Sequence, residues 1–592
     1  MKTLIPSLDG RPALTVSAVI VATATLLGVG IGLRMDALVL GPLFVLVALL
    51  VAPGFSWRAL GVKLAATVAF AALFFLTGGP ILRSISTGSN SAHVVVLGLM
   101  APFDPGLSVE PAPYDIGTLY SDGYAYTVIV SHALLKQDEQ LPILLGDAKY
   151  DRVGGRLLGT LARQFPADVL ARGLGATFQI FRFPFDWRIR DLAMKMPTFQ
   201  SSPAVKRIAE WRAWALSFLE GHELMAAVVV LVLASAFNWR LGAMGFLLTL
   251  YLCAYSMLQF SRRHTFHLDV MPILMVILLL QLPSSLLWRI ATGLRDGREA
   301  GLKALRGYGR EMLIGSGALA AVVVVFAGTV SGAQAWQQRS VTGLIESTLA
   351  VGWAPAPATE EPLADSILQN GNPVASWHEI FIRNPDRWKS ATLLRLDGVV
   401  PRGTEPEAAP DLRQQYFKLV IEDRCNVRSV AVALKYSGAG GSFDYEFTRA
   451  FNVPANAKGP SYLLVPAYYH LGSSWNRFDG FGVPADQRAC VTGIFRAVDP
   501  STVPLPAMSF ALGPDWRDQP LRQHLLSRPK VSATGTPVDP LPTEKSTHGS
   551  GWRRNANNAL ALVAPPLVAW EALAGVTVSK QRDGFNVVGN NI

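Results

Sequence analysis

Seven runs of predominantly apolar residues punctuate the first 336 positions, at 13–33, 37–53, 59–77, 224–237, 241–260, 268–288 and 312–333. About 20 such residues in a helix cross the roughly 30 Å of bilayer hydrocarbon. The pattern therefore predicts about seven transmembrane helices, the fourth with the shortest uninterrupted core. The first run is long and a second follows it at once, which reads as a retained span and not a cleaved signal peptide. After Trp336 the pattern changes: Pro and Gly multiply, and apolar residues come in short alternating stretches at 416–422, 429–436, 443–451, 462–466 and 489–497. Alternation with period two predicts strands, and several of them with turn-rich spacers predict a β-sandwich-like domain. The stretch 559–578 is apolar enough to be weighed as an eighth span, but Pro565, Pro566 and Glu571 near its middle favour strands of the outer domain. Asp583-Gly584 between 576–578 and 585–588 reads as the turn of a closing hairpin.

Basic residues orient the spans. The 289–311 loop holds Arg289, Arg295, Arg298, Lys303, Arg306 and Arg310 against three acids, and short basic loops stay cytoplasmic. By alternation Lys2, Arg11, Arg58, Lys63 and Arg240 also fall inside, giving an N-in, C-out topology. The expected fold is an α-helical polytopic membrane bundle with a long extracytoplasmic loop domain and a C-terminal extracytoplasmic β-sandwich-like domain. Its parts are spans one to three at 1–80, the loop domain with interfacial helices at 81–222, spans four to seven at 223–336, and the β-rich domain at 337–592. The expected location is the inner (cytoplasmic) membrane, with lipid as the first partner.

The long loop reads as a small α/β or mainly helical insert. A short apolar run at 93–100 suits a strand. Asp168 reads as the N-cap of an interfacial helix over 169–185, and 205–219 as a second basic and aromatic helix.

Composition supports this picture. Half of the 592 residues are hydrophobic and 16% are charged, below the quarter typical of soluble domains. The net charge of +10 fits attraction to anionic lipid, and no nucleic-acid partner is expected. Of three cysteines, Cys425 and Cys490 lie in the polar C-terminal region, where a disulfide is as reasonable as two separate thiols. Gly28 and Gly32 have the small-xxx-small spacing of closely packed helices. No Walker A loop, HExxH site, G-x-S-x-G elbow or paired CxxC is present. No metal site or cofactor is called for, and a divalent cation is left open.

Two clusters carry candidate chemistry. Between 114 and 126, Asp115 and Asp122 sit among Tyr114, Tyr120, Tyr124 and Tyr126; aromatic faces stack on sugar rings and carboxylates accept hydroxyl hydrogen bonds, although an Asp-Gly turn with tyrosines at the membrane surface reads as well. At 262–264, Arg262, Arg263 and His264 open the sixth span on the outer side. Bases there run against the sorting bias, which fits an anionic partner or snorkelling anchors. A third group, Tyr468, Tyr469, Trp475, Arg477, Phe478 and Phe481, reads as an aromatic loop for glycan or as the cap of a core.

A hydrophobic bundle with a large outer loop, an Arg-Arg-His cluster at a late span and a C-terminal β domain resembles the C-type membrane glycosyltransferases, which use polyprenyl-phosphate sugars outside the cytoplasmic membrane. The resemblance implies that Arg262, Arg263 and His264 bind the donor phosphate and that Asp115 or Asp122 is the acidic residue that acts as base or orients the acceptor; Tyr120 and Tyr124 are the rings on which a sugar would stack. The chain departs from that family in its first outer loop, which is only Arg34, Met35 and Asp36. The implied activity is sugar transfer from a lipid-linked donor in envelope glycan assembly. The alternative is a non-enzymatic, membrane-anchored glycan- or protein-binding component of an envelope polysaccharide machine. Transport is disfavoured by the scarcity of ionisable residues within the spans.

Overall fold

The computed structural model describes residues 12–33, 56–86, 91–116, 122–136, 143–182, 222–260, 270–364, 385–396, 414–437, 449–468 and 477–525, apart from isolated positions within them and a few short pieces between. The N-terminal region is helical. Helices α1 (Pro12–Leu33) and α2 (Trp57–Ser86) run along each other. Gly28 is where they touch: a Cβ there would lie 2.0 Å from Thr77 Oγ1, so the small residue is what permits the approach.

Among the described residues four further helices follow the long loop, and they are numbered after those of the loop: α7 (Glu223–Phe237), α8 (Trp239–Ala254), α9 (Val270–Arg295) and α10 (Arg298–Leu349). Among the described residues, four stretches are long and apolar enough to cross a membrane, Trp57–Arg83, Trp239–Leu258, Val270–Arg295 and Arg298–Leu349, and Ile20–Ile31 and Met225–Phe237 are shorter apolar helices. The run at 37–53 lies largely outside the described residues. Leu280, Leu313, Val324 and Val325 point outward from α9 and α10, as lipid-solvated side chains do.

At about 1.5 Å per residue, the 52 residues of α10 extend roughly 78 Å. That is more than twice the hydrocarbon thickness. Its first turns carry Arg298, Lys303, Arg306 and Arg310, its middle is apolar, and its last turns bury Val341, Leu344 and Ile345 in the same core as the C-terminal strands. One continuous helix thus joins the basic end to the β region across the apolar span.

The long loop forms α3 (Ser91–Gly98), β1 (Val109–Glu110), β2 (Tyr114–Ile116), α4 (Asp122–Lys136), α5 (Ala148–Gln164) and α6 (Pro166–Arg182). The strand expected at 93–100 is a helix. Ala92, His93, Val96 and Leu97 are buried, a spacing that keeps one helical face inside, whereas a strand would bury alternate residues. Helix α6 also corrects an expectation. It begins at Pro166, so Asp168 lies in its first turn and not at the N-cap, and Asp168 and Arg172 are buried. Helix α6 packs with Gly173 against Ala254 and Met257 and with Gly175 against the Leu107 carbonyl. The 205–219 helix falls almost wholly outside the described residues.

The C-terminal region is antiparallel β-sheet. Its strands are β3 (Trp353–Pro355), β4 (Ala358–Pro362), β5 (Leu368–Gln369), β6 (Asn372–Pro373), β7 (Thr392–Leu396), β8 (Gln414–Ile421), β9 (Ser429–Ser437), β10 (Arg449–Pro454), β11 (Ser461–Tyr468), β12 (Arg477–Val483), β13 (Val491–Ala497), β14 (Met508–Leu512) and β15 (His524–Leu525), with the short helix α11 (Pro385–Lys389) before β7. A five-stranded sheet has the order β10-β9-β12-β7-β4, and a six-stranded sheet β2-β14-β11-β8-β13-β3. The sheets meet through Phe417 of β8 and Phe478 and Phe481 of β12, whose rings lie 5.5 and 5.7 Å from it. Tyr468, Phe478 and Phe481 are therefore core residues, while Tyr469 and Trp475 lie outside the described residues. Cys425 and Cys490 are joined in a disulfide.

Two strands of the loop are built into this region. Strand β2 is an edge of the six-stranded sheet, with Asp115 opposite Ser509, and β1 pairs with β15. The expected 443–448 portion of a strand, the hairpin at 576–588 and the stretch 559–578 lie outside the described residues.

Candidate functional site

The loop helices and the β region share one core, and two polar groupings are set into it. The first is a chain of three side chains on α3, α4 and α5. Ala92 N donates to Asp151 Oδ1 (3.2 Å), and Gly154 faces the Ala92 methyl so closely that a Cβ there would be 2.6 Å away. These contacts clamp α3 to α5. Tyr150, one turn from Gly154, then reaches His93: its hydroxyl is 2.6 Å from His93 Nδ1. His93 Nε2 is 3.3 Å from Asp122 Oδ1.

The donor and acceptor roles follow from the partners. A carboxylate oxygen only accepts, so Nε2 carries a proton toward Asp122; in the neutral ring Nδ1 is then the acceptor, and Tyr150 donates to it. Burial pushes the Tyr150 phenol well above its usual range, which keeps that donor protonated. The His93 side chain is 4% exposed and that of Asp122 is 84% exposed. A buried donor thus aims at a solvent-facing carboxylate at the first residue of α4. A solvent-facing carboxylate positioned in this way has the chemistry of a base for a hydroxyl proton.

The second grouping is deeper. Asp168 Oδ2 accepts from the Tyr114 hydroxyl (2.9 Å), and Oδ1 accepts from Gln337 Nε2 (2.8 Å) and Gln523 N (2.8 Å). Gln337 Oε1 in turn accepts from Ala167 N (2.8 Å). Arg172 pairs with Asp104, donates to the Gly98 carbonyl (2.6 Å), and Gln523 Nε2 donates to Asp104 Oδ2 (2.9 Å). Burial raises the Asp168 carboxyl to about 6, partly offset by these hydrogen bonds and by Arg172. The grouping holds β2, α6, α10 and the 521–523 segment together, and at 7% exposure Asp168 has little access to a ligand.

No protein-family model, curated protein or solved structure matches this chain.

The residues singled out from sequence are thus distributed. Asp122 stands at the surface with His93 behind it. Asp115 is partly buried in the sheet on β2. Tyr124 is buried, its ring edge-on to Tyr468 at 5.3 Å. Tyr120, Arg262, Arg263 and His264 lie outside the described residues. Among the described residues no group of three His, Cys, Asp or Glu side chains could hold a metal ion. Sequence reasoning singled out neither His93 nor Tyr150. The signal for His93 was a titratable ring at the start of an otherwise apolar run; Tyr150 gave none, since its place beside His93 depends on the packing of α3 on α5.

Proposed function

We propose that the protein is a glycosyltransferase-like enzyme of the inner membrane, with about seven spans, N-in and C-out, that uses a lipid-linked sugar in envelope glycan assembly. The sandwich-like β domain and the loop helices form its extracytoplasmic body. The observation that carries this reading is the solvent-facing Asp122 carboxylate backed by buried His93 and Tyr150. The basic loop at 289–311 supports the orientation.

In this reading Asp122 accepts the proton of the acceptor hydroxyl. The hydroxyl oxygen attacks the anomeric carbon, the bond from that carbon to the phosphate oxygen breaks, and polyprenyl phosphate leaves with the electron pair. Arg262, Arg263 and His264 stabilise the leaving phosphate. His93 positions Asp122 and so acts through it.

The test is binding of a polyprenyl-phosphate sugar to the purified full chain, compared with an Arg263→Ala, His264→Ala double variant. Loss of binding in the variant supports the donor site. Equal binding by both proteins, or none by either, overturns it and favours the non-enzymatic envelope anchor.

A further inference from the structure

The 3₁₀ turn Ala485–Cys490 and the segment leading into β9 are tied by the Cys425–Cys490 disulfide. Between them and α11 lies an open pocket of about 580 Å³ lined by Arg387, Ser390, Arg428, Ser429, Asp486 and Gln487. Its volume is in the range of small-molecule sites, but its chemistry is unlike a typical apolar pocket, since every described lining residue is polar. We propose that this pocket binds an acidic sugar, a hydroxyl-bearing ring with a carboxylate.

The donors dominate. Gln487 is buried, and its Oε1 accepts from both Arg387 Nη2 (2.8 Å) and Ala431 N (2.9 Å). With both lone pairs taken, its Nε2 donors are what it has left for a ligand. The same bond holds the Arg387 guanidinium in place. Arg428 is exposed and makes no side-chain hydrogen bond or ion pair with the other described residues, so its fork is open to an oxyanion. Planar guanidinium groups match a carboxylate in two-point hydrogen bonding.

Asp486 decides between anions. A carboxylate at the rim repels a doubly charged phosphate, but it accepts hydrogen bonds from sugar hydroxyls. A singly charged, polyhydroxylated ring satisfies both signs of charge. Among the described residues the lining holds no aromatic ring, which argues against a neutral sugar, whose affinity usually comes from stacking. Openness suits a unit within a polymer.

This inference goes beyond the transferase reading and involves no turnover. It is tested by calorimetric titration of the full chain in detergent with a glucuronic acid trisaccharide. Binding that weakens with salt, falls at least tenfold in Arg428→Ala, recovers in part in Arg428→Lys and is at least tenfold weaker for a glucose trisaccharide is the expected result. Arg428 is exposed, so its loss leaves the fold intact. No binding, binding unchanged in Arg428→Ala, or full displacement of the trisaccharide by an equal concentration of inorganic phosphate overturns the proposal.

Discussion

Gln337 Nε2 donates to Asp168 Oδ1 at 2.8 Å, across 169 positions of sequence. This bond joins the candidate membrane-spanning helix α10 to the loop helix α6 inside a buried polar knot. It makes the stability of the body formed by the loop helices and the β region depend on the protonation of one carboxyl. The folded-state value for Asp168 is about 6 against an ordinary 3.8, so the folded chain binds the proton more tightly than the unfolded chain. The stabilisation this group contributes is therefore fully present below about pH 4 and is lost as pH rises through 6. The swing is on the order of 3 kcal/mol. Asp168→Asn removes it: Nδ2 can donate to Tyr114, whose hydroxyl then donates to the Leu521 carbonyl already 3.0 Å away. We expect Tm of the parent protein, relative to Asp168→Asn, to fall between pH 4.5 and 7. Parallel Tm curves would refute the assignment.

The Arg172–Asp104 pair beside this knot is also buried. Removing one partner of a buried pair strands the other charge and costs about 3–5 kcal/mol, whereas replacing both with apolar residues is often neutral. Arg172→Met should lower Tm steeply, and Arg172→Met with Asp104→Leu should recover much of the loss. A double variant as unstable as the single one would mean that the Gly98 and Gln523 contacts matter more than the pair itself.

How far sequence reached is visible in these residues. The four candidate spans and the β structure of the C-terminal region are local patterns, each set by a run of neighbouring residues, and they were legible, although helix α10 runs on to Leu349 and strands begin at Trp353, not directly after Trp336. The 93–100 run misled because a short apolar stretch fits a buried strand or a helix equally by periodicity. Asp168 was read as a cap because its neighbours suit one. Its partners Tyr114, Gln337 and Gln523 lie 54, 169 and 355 positions away, and no local signal encodes such contacts. The entry of Tyr114–Ile116 into the six-stranded sheet was hidden for the same reason. Of the proposed site, Asp122 was singled out from its aromatic setting, whereas its contact with His93 and that ring's contact with Tyr150 had no local signal.

Gly480 has φ of +150° and sits at a register shift between β12 and β9. A Cβ there would lie 2.0 Å from the Leu394 carbonyl oxygen. Both the left-handed backbone and the contact with main chain oppose any side chain. Gly480→Ala should cost several kcal/mol, roughly 3 or more, and should show as early proteolysis of the β region in limited digestion. A digestion pattern like that of the parent chain would show that β7 can shift to make room.

The arrangement of His93 between Asp122 and Tyr150 separates positioning from chemistry. If Asp122 is the base, Asp122→Asn should lower the rate of polyprenyl-phosphate release by roughly 10²- to 10⁴-fold, the range for loss of a general base. Tyr150→Phe keeps the ring and removes only the donor at 2.6 Å from His93 Nδ1. Its cost in stability should be about 1 kcal/mol, and it should lower kcat by a smaller factor, roughly tenfold, by loosening the histidine that holds Asp122. In the proposed reading neither residue binds the donor phosphate, so donor affinity should stay within about twofold. Donor affinity that falls with kcat in Tyr150→Phe would indicate that the three side chains hold the loop helices together and do not serve a base.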